Sequence, residues 1–239
     1  MTELLCQQDS YIKEFDATIV SVDAESRALI LDRTAFYPGG GGQPCDMGLL
    51  TINGTEYPVT KVKKQGANAF HFIGGDVALP EVDAMVHGAI DWERRYQLMR
   101  THTAMHILCG VVFRDYGALV TGGNMEPLNG RMDFEFETMR GELVSEIEAA
   151  INVEAQKGYD VKVNVLPREE AFEIPDLIRT KINLLPEGIN EIRTIEIVGL
   201  DLQADGGTHV KNTSEVGKLR VTDYKSKGKI NKRIYIEVE

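Results

Sequence analysis

Apolar and polar positions alternate in short runs through the first 90 residues, the pattern of strands with one buried face. Residues 17–22, 28–34, 48–52, 55–62, 68–73 and 84–90 read as strands, and Asn53-Gly54 and Gly74-Gly75 supply turns between them. Their even spacing predicts a small closed or nearly closed β-barrel. Beyond Asp91 the period changes. Leu98, Met105 and Val112 recur every seven residues, and Met99, Leu108 and Val111 widen the stripe, which predicts a helix over 96–117 ending at Gly117. A hairpin over 119–136 follows, then a helix over 141–157 on which Leu143, Ile147, Ile151 and Ala155 keep a spacing of four. Strands at 161–165, 191–198 and 233–238 complete an α+β domain. The expected organisation is therefore a β-barrel domain over 1–90 and an α+β domain over 91–239, without internal repeats.

Composition agrees with two globular domains, since 239 residues at 43% hydrophobic content can fill two cores. No stretch approaches the roughly 20 apolar residues of a membrane span, and the first residues lack a basic segment followed by an apolar run. A cytoplasmic protein is expected. Cys6, Cys45 and Cys109 are odd in number and form no Cys-x-x-Cys pair, which suggests reduced thiols.

Histidine is where candidate chemistry concentrates. The chain has five, and His102 and His106 stand four apart in the first helix, one turn from each other on one face. A lone pair of this kind is weak evidence for a metal. His209 adds to it, closing the turn Asp205-Gly-Gly-Thr-His209, where glycines let the backbone bend sharply around a ligand. Three imidazoles and the Asp205 carboxylate suit zinc better than calcium or magnesium. A three-histidine site with water in the fourth position is the alternative, and Gln203 is a further candidate ligand. The segment His102-Thr-Ala-Met-His106 lacks the Glu of His-Glu-x-x-His peptidases, and no Ser-His-Asp grouping is evident.

Three separated segments together resemble a known family. They are Thr34-Ala-Phe-Tyr-Pro-Gly-Gly-Gly-Gly-Gln-Pro-Cys-Asp-Met-Gly48, the His102/His106 pair, and Gly206-Gly-Thr-His-Val-Lys-Asn-Thr-Ser-Glu-Val-Gly217. In this order they look like the editing domain of alanyl-tRNA synthetase. With no room for an aminoacylation domain, the chain resembles the freestanding alanyl-tRNA editing proteins called AlaX, in the form that carries an extra N-terminal domain. The family usually has cysteine where this chain has Asp205; a carboxylate is a harder ligand but still binds zinc.

The resemblance implies a zinc-dependent trans-editing hydrolase. It would deacylate tRNA(Ala) mischarged chiefly with serine, with glycine a second candidate, and spare the correct alanyl ester. His102, His106, Asp205 and His209 would hold one Zn2+. Sparing alanine needs a pocket that hydrogen-bonds the serine hydroxyl, since its polar groups are left unpaired by the analogue lacking it. Thr121 is the first candidate for that contact and Gln43, in the Gly-rich loop, the second; Thr103 and Thr208 lie beside proposed ligands. The rivals are a non-catalytic zinc-containing tRNA-binding module and a deacylase of another aminoacyl ester.

A net charge of −11 is unusual for a tRNA partner, because phosphate contacts need Lys and Arg. Local distribution offsets it. Lys225, Lys227, Lys229, Lys232 and Arg233 form a run without an acid, and Lys211 and Lys218 follow the metal turn closely. With the resemblance, these seven residues read as a phosphate track.

Overall fold

The computed structural model of the chain describes residues 1–180 and 188–239, which form two compact units, Met1–Gln97 and Leu98–Glu239. The first unit carries β1 (Glu3–Leu4), β2 (Glu14–Asp23), β3 (Ala28–Leu31), β4 (Arg33–Thr34), β5 (Gly48–Ile52), β6 (Thr55–Gln65), β7 (Asn68–Ile73) and β8 (Met85–Ile90). Six of these strands close a barrel in the order β2-β3-β7-β6-β5-β8, every neighbouring pair antiparallel. The interior is filled by alternate residues, among them Phe15, Ala17 and Ile19 of β2 and Tyr57 and Val59 of β6. The run over 28–34 breaks at Asp32. Its carboxylate accepts from the backbone N–H groups of Thr18 at 2.8 Å and Arg33 at 2.9 Å. Such side-chain bonds compete with the ladder, and β4 pairs in parallel with β1 instead.

The Gly-rich loop between β4 and β5 is fixed by a buried ion pair. Gly39, Gly40, Gly41 and Gly42 all have positive φ, from 58° to 141°, which side chains rarely adopt. The loop is closed where Asp46 Oδ2 accepts from the Tyr37 N–H at 2.6 Å, while Asp46 N–H donates to the Tyr37 carbonyl at 3.0 Å. The Arg95 guanidinium, fully buried, grips both Asp46 oxygens and also donates to the carbonyls of Ser10 at 2.9 Å and Ala35 at 2.6 Å. Each charge is thus compensated where water is excluded. Removing one partner of such a pair typically costs about 3–5 kcal/mol.

The second unit is built around one helix. α1 (Trp92–Tyr116) begins in the first unit and continues into the second, where Leu98, Met99, Ile107, Leu108, Val111 and Val112 are all buried. It is followed by β9 (Val120–Glu126), β10 (Asn129–Glu135), α2 (Gly141–Gln156), β11 (Val161–Pro167), α3 (Arg168–Glu173), β12 (Glu191–Ile197), β13 (Asp201–Ala204), β14 (Leu219–Ser226) and β15 (Asn231–Val238). These strands form a four-stranded sheet, β14-β15-β10-β9, and a three-stranded one, β11-β12-β13. Two glycines let Met105 of α1 lie on the larger sheet, since a Cβ at Gly130 would stand 3.0 Å from its sulfur and one at Gly123 3.3 Å from its methyl. No described helix is long and apolar enough to cross a membrane, and all three cysteines are free.

One histidine serves the barrel rather than the chemistry. His71 is fully buried on β7, with Nε2 2.8 Å from the Thr34 hydroxyl and Nδ1 3.1 Å from the Leu29 carbonyl. The carbonyl only accepts, so Nδ1 carries the proton and Nε2 accepts from Thr34. Burial pushes the His71 pKa down to about 4, against about 6.5 in an unfolded chain. The stability it contributes is fully present above pH 6.5 and is lost as pH falls towards 4. The loss should reach up to about 3 kcal/mol. Urea midpoints followed from pH 7 to 4 should show this slope, and His71→Gln should flatten it; parallel slopes would contradict the assignment.

Candidate metal centre

Three imidazoles and one carboxylate meet in the second unit. His102 and His106 come from one face of α1, while Asp205 and His209 bracket the Gly206-Gly207-Thr208 turn that leaves β13. One ligand atom from each lies within 4.8 Å of all the others. The Asp205 oxygens are 3.5 Å from His102 Nε2 and 3.1 Å from His209 Nε2. Ligand atoms around a tetrahedral zinc are about 3.3 Å apart, as bond lengths of about 2.0–2.1 Å require. These two separations already approach that value. The rings crowd one another, with centroids 4.2 Å apart for His102–His209, 4.8 Å for His106–His209 and 5.2 Å for His102–His106.

The surrounding contacts leave these groups turned towards one point. His209 Nδ1 lies 3.1 Å from the Thr103 hydroxyl, His106 Nδ1 lies 3.0 Å from Asp201 Oδ2, and the Thr208 backbone hydrogen-bonds His102. Asp205 Oδ2 accepts from the Gly207 N–H at 2.6 Å, and Arg193 donates to the Asp205 carbonyl at 2.9 Å. Metal-bound histidines ordinarily have their second nitrogen engaged in this way.

Electrostatics favour the ligand forms of His102, His209 and Asp205. Burial pushes the His102 pKa down to about 4 against the pull of Asp205. Burial and the neighbouring His102 hold His209 well below its usual value as well. Burial alone would raise Asp205, but His102 and a hydrogen bond from His209 hold it well below the carboxylate range. For His106 burial is outweighed by the hydrogen bond and charge of Asp201, so its pKa rises. At neutral pH His102 and His209 are therefore neutral and Asp205 is ionised, as coordination requires.

Sequence reasoning named all four members of the cluster and missed their supports. Asp201 gave no signal because its role depends on a carboxylate meeting a histidine 95 residues earlier in the chain. Thr103 was noticed only as a neighbour of His102, yet its side chain reaches His209. Gln203, the further candidate ligand, donates to Asp201 Oδ2 at 2.6 Å and lies 3.5 Å from His106 Nδ1. Thr121 is exposed on β9, its hydroxyl donating to Asn231 at 2.7 Å. Gln43 is buried in the first unit, its backbone paired with Gly40 in the Gly-rich loop.

The basic run forms the hairpin between β14 and β15. Lys232 is buried and donates to the carbonyls of Gly228 and Lys229, both at 2.9 Å. Arg233 holds Asp133 through two bonds at 2.6 and 2.7 Å. Lys225 pairs with Asp223 at 2.8 Å and Lys218 with Glu239 at 3.5 Å, while Lys211, Lys227 and Lys229 are exposed.

Comparison with known proteins gives a consistent picture. Residues 7–94 match a model described as tRNA synthetases class II (A), and residues 192–235 match the threonyl and alanyl tRNA synthetase second additional domain. The chain is 43% identical to the alanyl-tRNA editing protein AlaX-M of Saccharolobus solfataricus, over the full length of both. It is 37% identical to AlaX-M of Methanosarcina mazei, covering all of this chain and 97% of that one. It is also 37% identical to the alanine–tRNA ligase of Pyrococcus furiosus, over 92% of this chain but only 24% of the ligase. With such identity sustained from end to end, and a cluster of three histidines and an aspartate that could hold a metal in the same chain, the protein belongs to the AlaX-M family of alanyl-tRNA editing proteins.

Proposed function

We propose that the chain hydrolyses the ester linking a wrong amino acid, chiefly serine and secondarily glycine, to the 3′ end of tRNA(Ala), and spares the alanyl ester. The observation that carries this reading is the buried His102, His106, Asp205 and His209 cluster in a chain similar throughout to alanyl-tRNA editing proteins. In the reaction, a water oxygen adds to the ester carbonyl carbon and the acyl carbon–oxygen bond to the ribose breaks. The ribose oxygen leaves with a proton that came from the water.

The four clustered residues would hold one Zn2+. When bound, the ion supplies Lewis acidity towards an oxygen, or a charge that orients the aminoacyl end. The protein's own part is to keep the three rings and the carboxylate turned inward, through Thr103, Asp201 and the Thr208 backbone. An aminoacyl ester is already activated, so positioning a water against it asks little of acid–base groups.

Discrimination is assigned to Thr121, with Gln43 as the second candidate. The Thr121 hydroxyl donates to Asn231, which leaves its lone pairs able to accept from the serine hydroxyl. Phosphate contacts are assigned to the basic residues of the second unit. Lys211, Lys218, Lys225, Lys227 and Lys229 present their ammonium groups, and Lys232 and Arg233 brace the hairpin that carries the run. Net negative charge elsewhere would keep nonspecific binding weak and affinity steeply dependent on salt.

Two measurements check the reading. Purified protein should release serine from Ser-tRNA(Ala), leave Ala-tRNA(Ala) intact, and lose this activity on treatment with a zinc chelator and in His106→Ala. Release of neither amino acid, despite measurable tRNA binding, would make the chain a binding module; release from unrelated aminoacyl-tRNAs alone would make it a deacylase of another ester. Thr121→Val should lower kcat/KM on Ser-tRNA(Ala) by about tenfold or more, the worth of one hydrogen bond of about 1.5 kcal/mol. An unchanged ratio of serine to alanine rates would remove Thr121 from the recognition site.

A further inference from the structure

We propose that Asp201 is a positioning residue of the metal centre: it fixes His106 as the tautomer protonated on Nδ1, leaving Nε2 for the ion, and is itself anchored by Gln203 and Arg179. The inference rests on the metal-dependent reading above and deepens it.

The geometry is that of a carboxylate–histidine–metal arrangement. Asp201 is the first residue of β13 and its side chain is 0% exposed. Its Oδ2 lies 3.0 Å from His106 Nδ1 and accepts from Gln203 Nε2 at 2.6 Å. The Gln203 amide nitrogen is 3.5 Å from the same His106 nitrogen, too long to compete for the ring. Oδ1, on the other side, lies 3.5 Å from Arg179 Nε, and that guanidinium sits 3.7 Å over the Phe113 ring. Arg179 thus supplies the countercharge a buried carboxylate needs, while the aromatic face and Asp201 keep it in place. An ionised carboxylate can only accept, so the proton between it and the imidazole belongs to His106 Nδ1. The lone pair is then on Nε2, the nitrogen available to the cluster.

A glycine makes this contact reachable. Gly110 stands one turn beyond His106 on α1, and a Cβ there would come within 3.0 Å of Leu200 Cγ and 3.1 Å of both Asp201 Cβ and the Leu200 carbonyl. No side chain larger than hydrogen lets the helix and the turn into β13 approach this closely without a shift. Gly110 therefore sets the separation across which Asp201 meets His106.

The test uses the full chain with Zn2+ as the probe, titrated against a chelator of known affinity. A second readout is the His106 Nδ1–H signal of the zinc-loaded, 15N-histidine-labelled protein. Asp201→Asn should bind zinc about 10- to 100-fold more weakly, the usual effect of losing such a support. Its His106 Nδ1–H signal should move out of the carboxylate-bonded position, and Asp201→Glu should recover part of the affinity. Gly110→Ala, which alters neither ligand nor carboxylate, should weaken binding in the same direction and serves if Asp201→Asn does not fold. Unchanged zinc affinity in both variants, or weaker binding with the His106 signal unmoved, would overturn the proposal while leaving the metal centre standing. A wild-type chain that binds no zinc would overturn the metal reading and this proposal with it.

Discussion

Four polar groups crowded into a buried space are the constraint on which the second unit depends. His102, His106 and His209 are 6% exposed or less, and Asp205 brings a negative charge among them. Burying such groups is costly unless each finds a partner. The chain meets this by surrounding the cluster with contacts: Thr103 to His209, Asp201 to His106, the Thr208 backbone to His102 and the Gly207 N–H to Asp205. One ligand atom from each member then lies within 4.8 Å of the others. That is the arrangement a cation would complete, and it is why burial, which depresses His102 and His209, helps ligation instead of opposing it.

The first unit is organised by a different buried charge. Arg95 and Asp46 close the Gly-rich loop in the way that Asp201 and its partners would order the metal ligands, by fixing a segment whose backbone could otherwise take many forms. Buried charged pairs of this kind fix geometry, since an apolar replacement of similar volume is often as stable. The barrel histidine, His71, carries the same lesson for a neutral group: it is buried and held by two hydrogen bonds.

Much of this was legible in the sequence, for reasons that differ by element. The barrel strands announced themselves because alternate residues point into a closed interior, and α1 because Leu98, Met105 and Val112 kept a heptad through a buried helix. The α+β architecture followed from these. The 28–34 run was expected to be continuous, yet Asp32 broke it by a side-chain bond to a strand 14 residues earlier. β13 and β14 escaped notice: the first is four residues long, and the second exposes most of its residues and carries Arg220, Asp223 and Lys225, so neither shows a buried face. The clustered residues were readable because histidine is rare in this chain and two of the three stood at helical spacing. Asp201, Arg179 and Gly110 were not, because their meaning arises only when α1 lies against the turn into β13.

Metal content of the purified protein bears most directly on the central claim. Elemental analysis of the wild-type chain beside His106→Ala and Asp205→Ala should find about one zinc per wild-type chain, the stoichiometry of a single tetrahedral site. It should find much less in both variants. A wild-type chain that edits mischarged tRNA while holding no metal, or variants that retain zinc in full, would contradict the account.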